Sequence, residues 1–188
     1  RVTHVSAYAL IVEEGTPLAQ RTQSGLLPLP DEDAVADMLE RGVLFLNSRG
    51  YQRYEISNFA KPGYACKHNL GYWRQNRYLG LGLSAASLLP APPDAPDAYY
   101  QRQTNTDRLS EYLRQLRDGR IPVAESHLVN RQDAMFETVM LGLRTMEGVR
   151  YADFAAMYGQ TLPQAYGEAI IRLTNEGLLA PVETADPW

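Results

Sequence analysis

Residues 51–87 read YQRYEISNFAKPGYACKHNLGYWRQNRYLGLGLSAAS, and the rest of the chain is interpreted outward from this stretch. Its first part, Tyr51 to Phe59, predicts a strand that ends in polar side chains. A Pro-Gly turn follows. The only cysteine, one of three histidines and one of two tryptophans then fall within residues 66–73. The glycine-punctuated apolar run 79–86 predicts a second strand. Residues 60–77 between the strands form a long loop, and loops of that length are commonly functional.

The composition predicts a globular, cytoplasmic protein. Hydrophobic residues make up 45% of the 188 residues and charged residues 21%. The net charge of −4 disfavours nucleic acid as a partner, because phosphate binding needs a basic face. One cysteine excludes an intrachain disulfide and fits a reducing compartment. The sequence contains no apolar run near the roughly 18 residues that a membrane span requires.

The region before this stretch predicts a strand–helix–strand unit. Val2 to Val12 is apolar on both faces, which is typical of a strand buried in a parallel sheet. Residues 18–30 predict a loop. Asp31 and its acidic neighbours then predict a helix start, and Gly50 predicts its C-terminal cap. The side chains with helical spacing, which we expect to pack on the sheet, are Val35, Met38, Leu39, Gly42 and Leu46.

The region after this stretch predicts a linker and then helices. Residues 89–97 contain four prolines and mark the start of the linker. A helix is predicted over residues 107–118, with its inward face at Leu109, Tyr112, Leu113 and Leu116. Asn130 is expected to cap the next helix, and two more helices are predicted at 151–158 and from Pro163. Residues 178–182 predict a strand. The fold class is therefore α/β followed by a small helical domain.

The central stretch resembles radical-SAM proteins related to oxygen-independent coproporphyrinogen III oxidase. It is most similar to their haem-chaperone branch, HemW, which carries the motif His-Asn-x-x-Tyr-Trp, matched here by residues 68–73. The resemblance extends from HVSAYALIVEEGTPL to YGEAIIRLTNEGLL. It implies that residues 1–88 are the C-terminal part of an incomplete (β/α) radical-SAM barrel. Residues 89–106 would be a linker, and residues 107–188 a winged-helix-like C-terminal cap.

The same resemblance implies S-adenosylmethionine and a 4Fe–4S cluster in the full-length relatives. Those relatives hold the cluster on a Cys-x-x-x-Cys-x-x-Cys segment in their N-terminal half. One cysteine cannot hold such a cluster. We therefore expect this chain to correspond to a C-terminal half, beginning mid-protein, which has no metal ligands for the cluster and is inactive in radical chemistry alone.

The resemblance implies haem binding at His68, because the matching motif is associated with haem in the family. Imidazole is a common axial haem ligand, and Tyr72 and Trp73 offer flat apolar faces to a porphyrin. The alternative is that His68 and Asn69 brace the loop while Trp73 fills the core. Basic side chains for the haem propionates would come from Lys61, Lys67 and Arg74.

Two alanines are the candidate S-adenosylmethionine contacts. By resemblance, Ala9 on the first strand and Ala86 at the end of the glycine run fall where relatives approach that ligand. The alternative is close strand packing without a ligand. Many chaperone-branch members have histidine at this position. This chain has Ala86 in its place, as in the oxidase branch, so the two branches stay open.

The remaining candidates are interpreted as structural or surface residues. Cys66, two residues before His68, is interpreted as an ordinary thiol, since one Cys-x-His pair cannot complete a metal site. Glu55 and Asn58 are interpreted as bracing the loop, with substrate orientation as the alternative. His4 and His127 have no companions. The helix from Pro163 has no basic face, which disfavours DNA recognition.

Three functions stay open. The first is the C-terminal portion of a HemW-like protein that binds haem and delivers it to a haem-accepting protein. The second is the same portion of an oxygen-independent coproporphyrinogen III oxidase, a radical-SAM decarboxylase of porphyrin biosynthesis. The third is a cofactor-free protein-binding module. The expected partners are haem or porphyrin and a haem acceptor, without nucleic acid. A membrane-associated acceptor and a homodimer stay open.

Overall fold

The computed structural model describes residues 2–182, which fall into two compact units, residues 2–66 and residues 67–182. Over these residues the chain forms seven helices and two three-stranded sheets, one sheet in each unit. The mixed α/β class expected from the sequence is confirmed. Within the same range, every helix is too short or too polar to cross a membrane. Residues 183–188, the end of the predicted cap, lie outside the described residues.

The sheet of the first unit is antiparallel. Its strands are β1 (His4–Ser6), β2 (Gln52–Arg53) and β3 (Asn58–Ala60), in the order β1-β3-β2. The single strand predicted over residues 51–59 is therefore wrong, because the chain turns back on itself at residues 54–57. There the Ser57 N–H donates to the Glu55 carboxylate at 3.1 Å, and the Tyr54 N–H donates to the Asn58 carbonyl at 3.1 Å. The returning strand β3 separates β1 from β2, so the predicted parallel pairing, and with it the barrel half, is not seen.

The first strand is also shorter than predicted. It covers three of the residues 2–12, and Leu10 and Ile11 are exposed by 66% and 76%. Among residues 2–182 it pairs with the three-residue strand β3, and the paired residues end at Ser6. The predicted loop over residues 18–30 contains helix α1 (Pro17–Gln23), which Thr16 caps.

Helix α2 (Glu32–Ser48) confirms the helix predicted after Asp31. The Asp31 carboxylate accepts a hydrogen bond from the Ala34 N–H at 2.8 Å, and Gly50 ends the turn with a φ of +79°. Its packing differs from the prediction, because none of its residues is buried. Met38 and Leu39 are exposed by 55% and 43%.

The second unit opens with helix α3 (Lys67–Trp73), inside the region predicted as a loop. Its antiparallel sheet has the order β4-β5-β6, formed by β4 (Ala86–Pro90), β5 (Ala98–Asn105) and β6 (Val123–Asn130). Helices α4 (Leu109–Arg117), α5 (Arg131–Gly142), α6 (Tyr151–Tyr158) and α7 (Leu162–Asn175) complete it.

Two assignments near this sheet are wrong. The predicted strand 79–86 is a loop, and β4 begins only at Ala86. Gly80 lies so close to the next strand that an added Cβ would be 2.1 Å from the Ala86 carbonyl oxygen, and this approach leaves no room for a regular ladder. Residues 98–105, predicted as linker, instead form the central strand β5. Pro90 ends β4, and the other three prolines of residues 89–97 lie in the connection between the two strands.

The helix ends of the second unit follow the sequence closely. Asn130 caps α5 by accepting from the Asp133 N–H at 2.9 Å, and Gly159 ends α6 with a φ of +59°. The inward face predicted for α4 is wrong at Leu109, Leu113 and Leu116, which are exposed. Residues 178–182 form no strand. The wing expected of a winged-helix-like cap is therefore not seen in the described part of the chain.

The main hydrophobic core lies in the second unit, between the sheet and helices α5 to α7. Its most buried large side chains are Tyr100 and Phe154, each 1% exposed. The Phe154 ring lies 4.8 Å from that of Tyr158, centroid to centroid. The other core members are Leu88, Val129, Ala134, Met135 and Leu162. This core fixes the sheet on which the candidate site is built.

Candidate functional site

Helix α3 places His68 and Tyr72 on one face, because residues four apart in a helix are neighbours. Their ring centroids are 4.8 Å apart and their planes meet at 81°, an edge-to-face contact. Both side chains are exposed, Tyr72 by 42%. The imidazole is therefore accessible to a ligand and is oriented by its tyrosine neighbour.

Tyr78 extends this arrangement to a third ring. Its centroid lies 4.8 Å from that of Tyr72, again edge-to-face at 85°. Its backbone exchanges two 3.0 Å hydrogen bonds with Leu88 of β4, which anchors it to the sheet. Burial, and secondarily the neighbouring Tyr72, raise the pKa of the Tyr78 phenol, although the Arg102 charge opposes this. The phenol is thus a neutral hydrogen-bonding group at physiological pH.

The three rings line one cavity of about 540 Å³. The opposite wall is the chain that runs into β4, where Leu79 and Leu81 are exposed by 65% and 82%. The full lining is His68, Tyr72, Tyr78, Leu79, Gly80, Leu81, Ala85 and Ala86. We call this the His68 cavity. Its size is within the usual range for small-molecule sites.

The structure brings together some of the predicted residues and separates others. His68, Tyr72 and Ala86 share the His68 cavity. Trp73 instead lines a second cavity, also about 540 Å³, with Val149, Phe154 and Met157 among its walls. Ala9 belongs to the first unit, where it is exposed beyond β1. The candidate haem and S-adenosylmethionine residues thus overlap at Ala86.

The basic residues predicted to meet propionates are placed differently from one another. Arg74 forms a bidentate ion pair with Glu147, with N–O distances of 2.7 and 3.0 Å, and lines the second cavity. Lys67 is exposed on α3. In the first unit, the Lys61 ammonium lies 5.3 Å from the Tyr51 ring centroid.

The contacts of the remaining candidates fit the structural roles expected for them. In the first unit His4 Nε2 lies 2.8 Å from the Tyr54 hydroxyl, and Asn58 Oδ1 accepts a 2.5 Å hydrogen bond from Ser6. His127 is exposed on β6, 3.7 Å from Glu125. Glu55 is 2% exposed and accepts from the backbone of its own turn.

A 4Fe–4S cluster does not fit the residues of this chain. The cluster needs several thiolates, and Cys66, half-buried, is the only cysteine. Across residues 2–182, no group of three His, Cys, Asp or Glu side chains is arranged to hold a metal ion.

A polar network around Glu137, whose member Gln75 lines the second cavity, was missed by the sequence analysis. The Glu137 carboxylate on α5 accepts two hydrogen bonds from Arg102 on β5, at 3.2 and 2.8 Å, and one from the Tyr100 hydroxyl. Gln75 donates to Tyr100 at 3.3 Å. Burial and the Glu137 carboxylate raise the pKa of Tyr100 well above its usual range. The residues are 25–62 positions apart, so no local pattern could reveal them.

Comparison with known proteins finds a matching family model and similar sequences. Residues 129–181 match the family model of the HemN C-terminal domain. The chain is 32% identical over 182 residues to the haem chaperone HemW of Bacillus subtilis, covering 97% of this chain and 46% of that protein. HemW of Escherichia coli is 36% identical over 188 residues, covering 98% and 45%. Over nearly its whole length the chain is therefore similar to part of the haem chaperone HemW, and residues 129–181 are similar to the HemN C-terminal domain.

A solved structure has a similar fold. The chain matches coproporphyrinogen III oxidase (HemN) of Escherichia coli, described as a radical SAM enzyme, with a TM-score of 0.60. Identity is 18%, and the match covers 83% of this chain and 37% of HemN, so this likeness supports the fold alone. The chain spans a little under half the length of the HemW proteins it matches.

Proposed function

We propose that this chain is the haem-binding portion of a HemW-like protein and that it holds haem through His68. The observation that carries the proposal is the shared cavity of one exposed imidazole, two tyrosine rings and two exposed leucines. Imidazole nitrogen is a common haem ligand, and aromatic and aliphatic surface suits the faces of a porphyrin. Relatives named as haem chaperones support the ligand class.

Haem is cargo in this proposal, to be passed to a haem-accepting protein. An open, exposed site suits that role, because a ligand that must leave is not enclosed. His68 supplies the axial nitrogen, and Tyr72 orients the imidazole by its edge-to-face contact. The proposal leaves open which protein accepts haem, whether that protein lies in a membrane, and whether this chain forms a homodimer.

The second candidate is a porphyrin substrate site of the oxidase branch. The observation that favours it is Ala86, which replaces the histidine of many chaperone-branch members and lines the His68 cavity. In that interpretation Ala9 and Ala86 would approach S-adenosylmethionine in a longer protein, whose cluster ligands this chain does not supply. A metal-free porphyrin would then bind as well as haem.

The test is a haemin titration followed by the Soret absorption band. We compare the wild-type chain with His68→Ala and, as a matched control, His127→Ala, which removes another exposed imidazole of the same unit. We expect His68→Ala to lose the wild-type Soret shift and to bind haemin at least about tenfold more weakly, the scale of losing a metal-site contact. His127→Ala should match wild type.

The opposite outcomes are equally definite. An unchanged Soret band and affinity in His68→Ala would remove His68 as the ligand. If the wild-type chain binds neither haemin nor porphyrin while a protein partner co-purifies, the cofactor-free binding module replaces both candidates.

A further inference from the structure

The wall of the His68 cavity opposite the rings is a loop with two exposed leucines and a fixed backbone. We call residues 79–85 the rim loop. Leu79 and Leu81 point into open solvent, at 65% and 82% exposure, yet line the cavity. Exposed leucines on an unrestrained loop would be mobile. The rim loop is instead hydrogen-bonded to three neighbouring elements, β4, β5 and α4.

Asn105, at the end of β5, makes three of these hydrogen bonds. Its side-chain amide donates to the Gly82 carbonyl at 2.9 Å and to the Gly80 carbonyl at 3.4 Å. Its backbone N–H donates to the Ala85 carbonyl at 3.0 Å. Asn105 is 8% exposed. One buried residue thus satisfies three carbonyls of the rim loop.

Other groups satisfy the rim loop's N–H donors. Gly80 donates to the Ser87 hydroxyl at 3.0 Å, and Gly82 donates to the Tyr112 hydroxyl at 3.1 Å. Ser84 donates to the Thr106 carbonyl at 3.1 Å. Gly82 has a φ of +107°, which favours glycine and lets the loop turn twice within a few residues. The loop is therefore pre-ordered before any ligand arrives.

We propose that Leu79 and Leu81 are the porphyrin-gripping wall of the His68 cavity and that Asn105 is the positioning residue that holds this wall. The inference deepens the proposed function and rests on it for the ligand class. Holding the backbone that carries the two side chains removes part of an entropic cost that binding would otherwise carry. The wall contacts the macrocycle and not the iron, so it acts on haemin and metal-free porphyrin alike, whereas His68 acts on haemin alone.

The experiment measures the affinity of the full chain for haemin and for metal-free protoporphyrin. The variants are Leu79→Ala/Leu81→Ala and Asn105→Asp, which keeps the side chain's size but removes its donor. The control is Ile121→Ala/Leu128→Ala, two similarly exposed apolar residues of the same unit that do not line the cavity. We expect the leucine variant to bind both ligands about tenfold more weakly and Asn105→Asp about fivefold. The haemin Soret maximum should stay at its wild-type wavelength, and the control should match wild type.

The outcomes separate this inference from the proposed function. If wild type binds haemin through His68 but the leucine variant binds both ligands normally, the wall is overturned and the proposed function stands. If His68→Ala binds haemin normally, the proposed ligand fails, and the wall is still judged by metal-free porphyrin. If wild type binds neither ligand, both are overturned. Normal porphyrin affinity in Asn105→Asp would overturn its positioning role. Should that variant not fold, Tyr112→Phe removes only the hydroxyl that accepts from Gly82, and normal porphyrin affinity there would overturn the claim that holding the rim loop strengthens binding.

Discussion

Helix α6 has eight residues and buries two of them, whereas helix α2 has seventeen residues and buries none. The first belongs to the unit of residues 67–182, which has a continuous core around Tyr100 and Phe154. The second belongs to residues 2–66, where Leu44 and Phe45 are exposed by 64% and 58%. Amphipathic sequence is present in both units. The difference lies in whether a partner surface covers it, and the candidate site is built on the unit with its own core.

The largest expected effect comes from paired phenylalanine truncations. Phe154→Ala should lower the free energy of unfolding by about 3–5 kcal/mol, because it leaves a cavity in the core. Phe45→Ala on α2 should cost about 1 kcal/mol or less, since the ring is exposed and the Arg49 guanidinium lies 5.1 Å from its centroid. Urea unfolding followed by circular dichroism measures both. Equal losses would mean that the two units do not differ in packing.

Two glycines should respond with opposite signs. Gly80→Ala should destabilise by about 1–3 kcal/mol, because the new Cβ would collide with the Ala86 carbonyl. Gly42→Ala in α2 should stabilise by about 1 kcal/mol, because nothing lies within 4 Å and alanine is the better helix former. Thermal unfolding of the two variants checks the signs. A harmless Gly80→Ala would show that the rim loop is not held as described.

A smaller effect is expected from the hydrogen-bond network around Glu137. Tyr100→Phe should cost about 1–2 kcal/mol, because the Glu137 carboxylate loses a donor. Folding raises the pKa of the Tyr100 phenol, so stability is fully present below the unfolded-state pKa of about 10 and falls as pH rises above it.

The same residue therefore predicts a pH signature. The alkaline loss of stability should be smaller in Tyr100→Phe than in wild type, and Tyr8→Phe, which alters an exposed phenol of the first unit, should behave like wild type. Urea midpoints at about pH 8 and about pH 11 provide the comparison. Identical alkaline losses in all three chains would show that the network does not hold the Tyr100 proton.

Local signals in the sequence predicted the helix boundaries well. Asp31, Asn130 and Gly159 each act at the end of a helix through bonds or φ values set within a few residues. The sheets were predicted poorly, because their pairing depends on distant residues. Residues 54–57 were predicted as strand interior, yet they turn the chain. Strand β5 was predicted as linker because it follows a proline-rich segment. Exposure on α2 and α4 could not be predicted either, since periodicity indicates a hydrophobic face but not its partner.

The candidate site divides in the same way. His68 and Tyr72 were found because a helix brings residues four apart together. Trp73, their neighbour in the motif, lies on the other cavity because the next position of a helix faces elsewhere. Tyr78, Leu79 and Leu81 lie in the same stretch but were not predicted as site residues. Tyr78 is placed by its backbone bonds to Leu88, and the rim loop by bonds from Asn105.

The most direct test of the account compares how much His68→Ala weakens binding of haemin with how much it weakens binding of metal-free protoporphyrin. If His68 supplies the iron ligand in a cavity whose walls hold the macrocycle, haemin affinity falls at least about tenfold while protoporphyrin affinity stays close to wild type. Equal weakening of both would make His68 only a wall of the cavity. No weakening of either would place the porphyrin elsewhere and contradict the account.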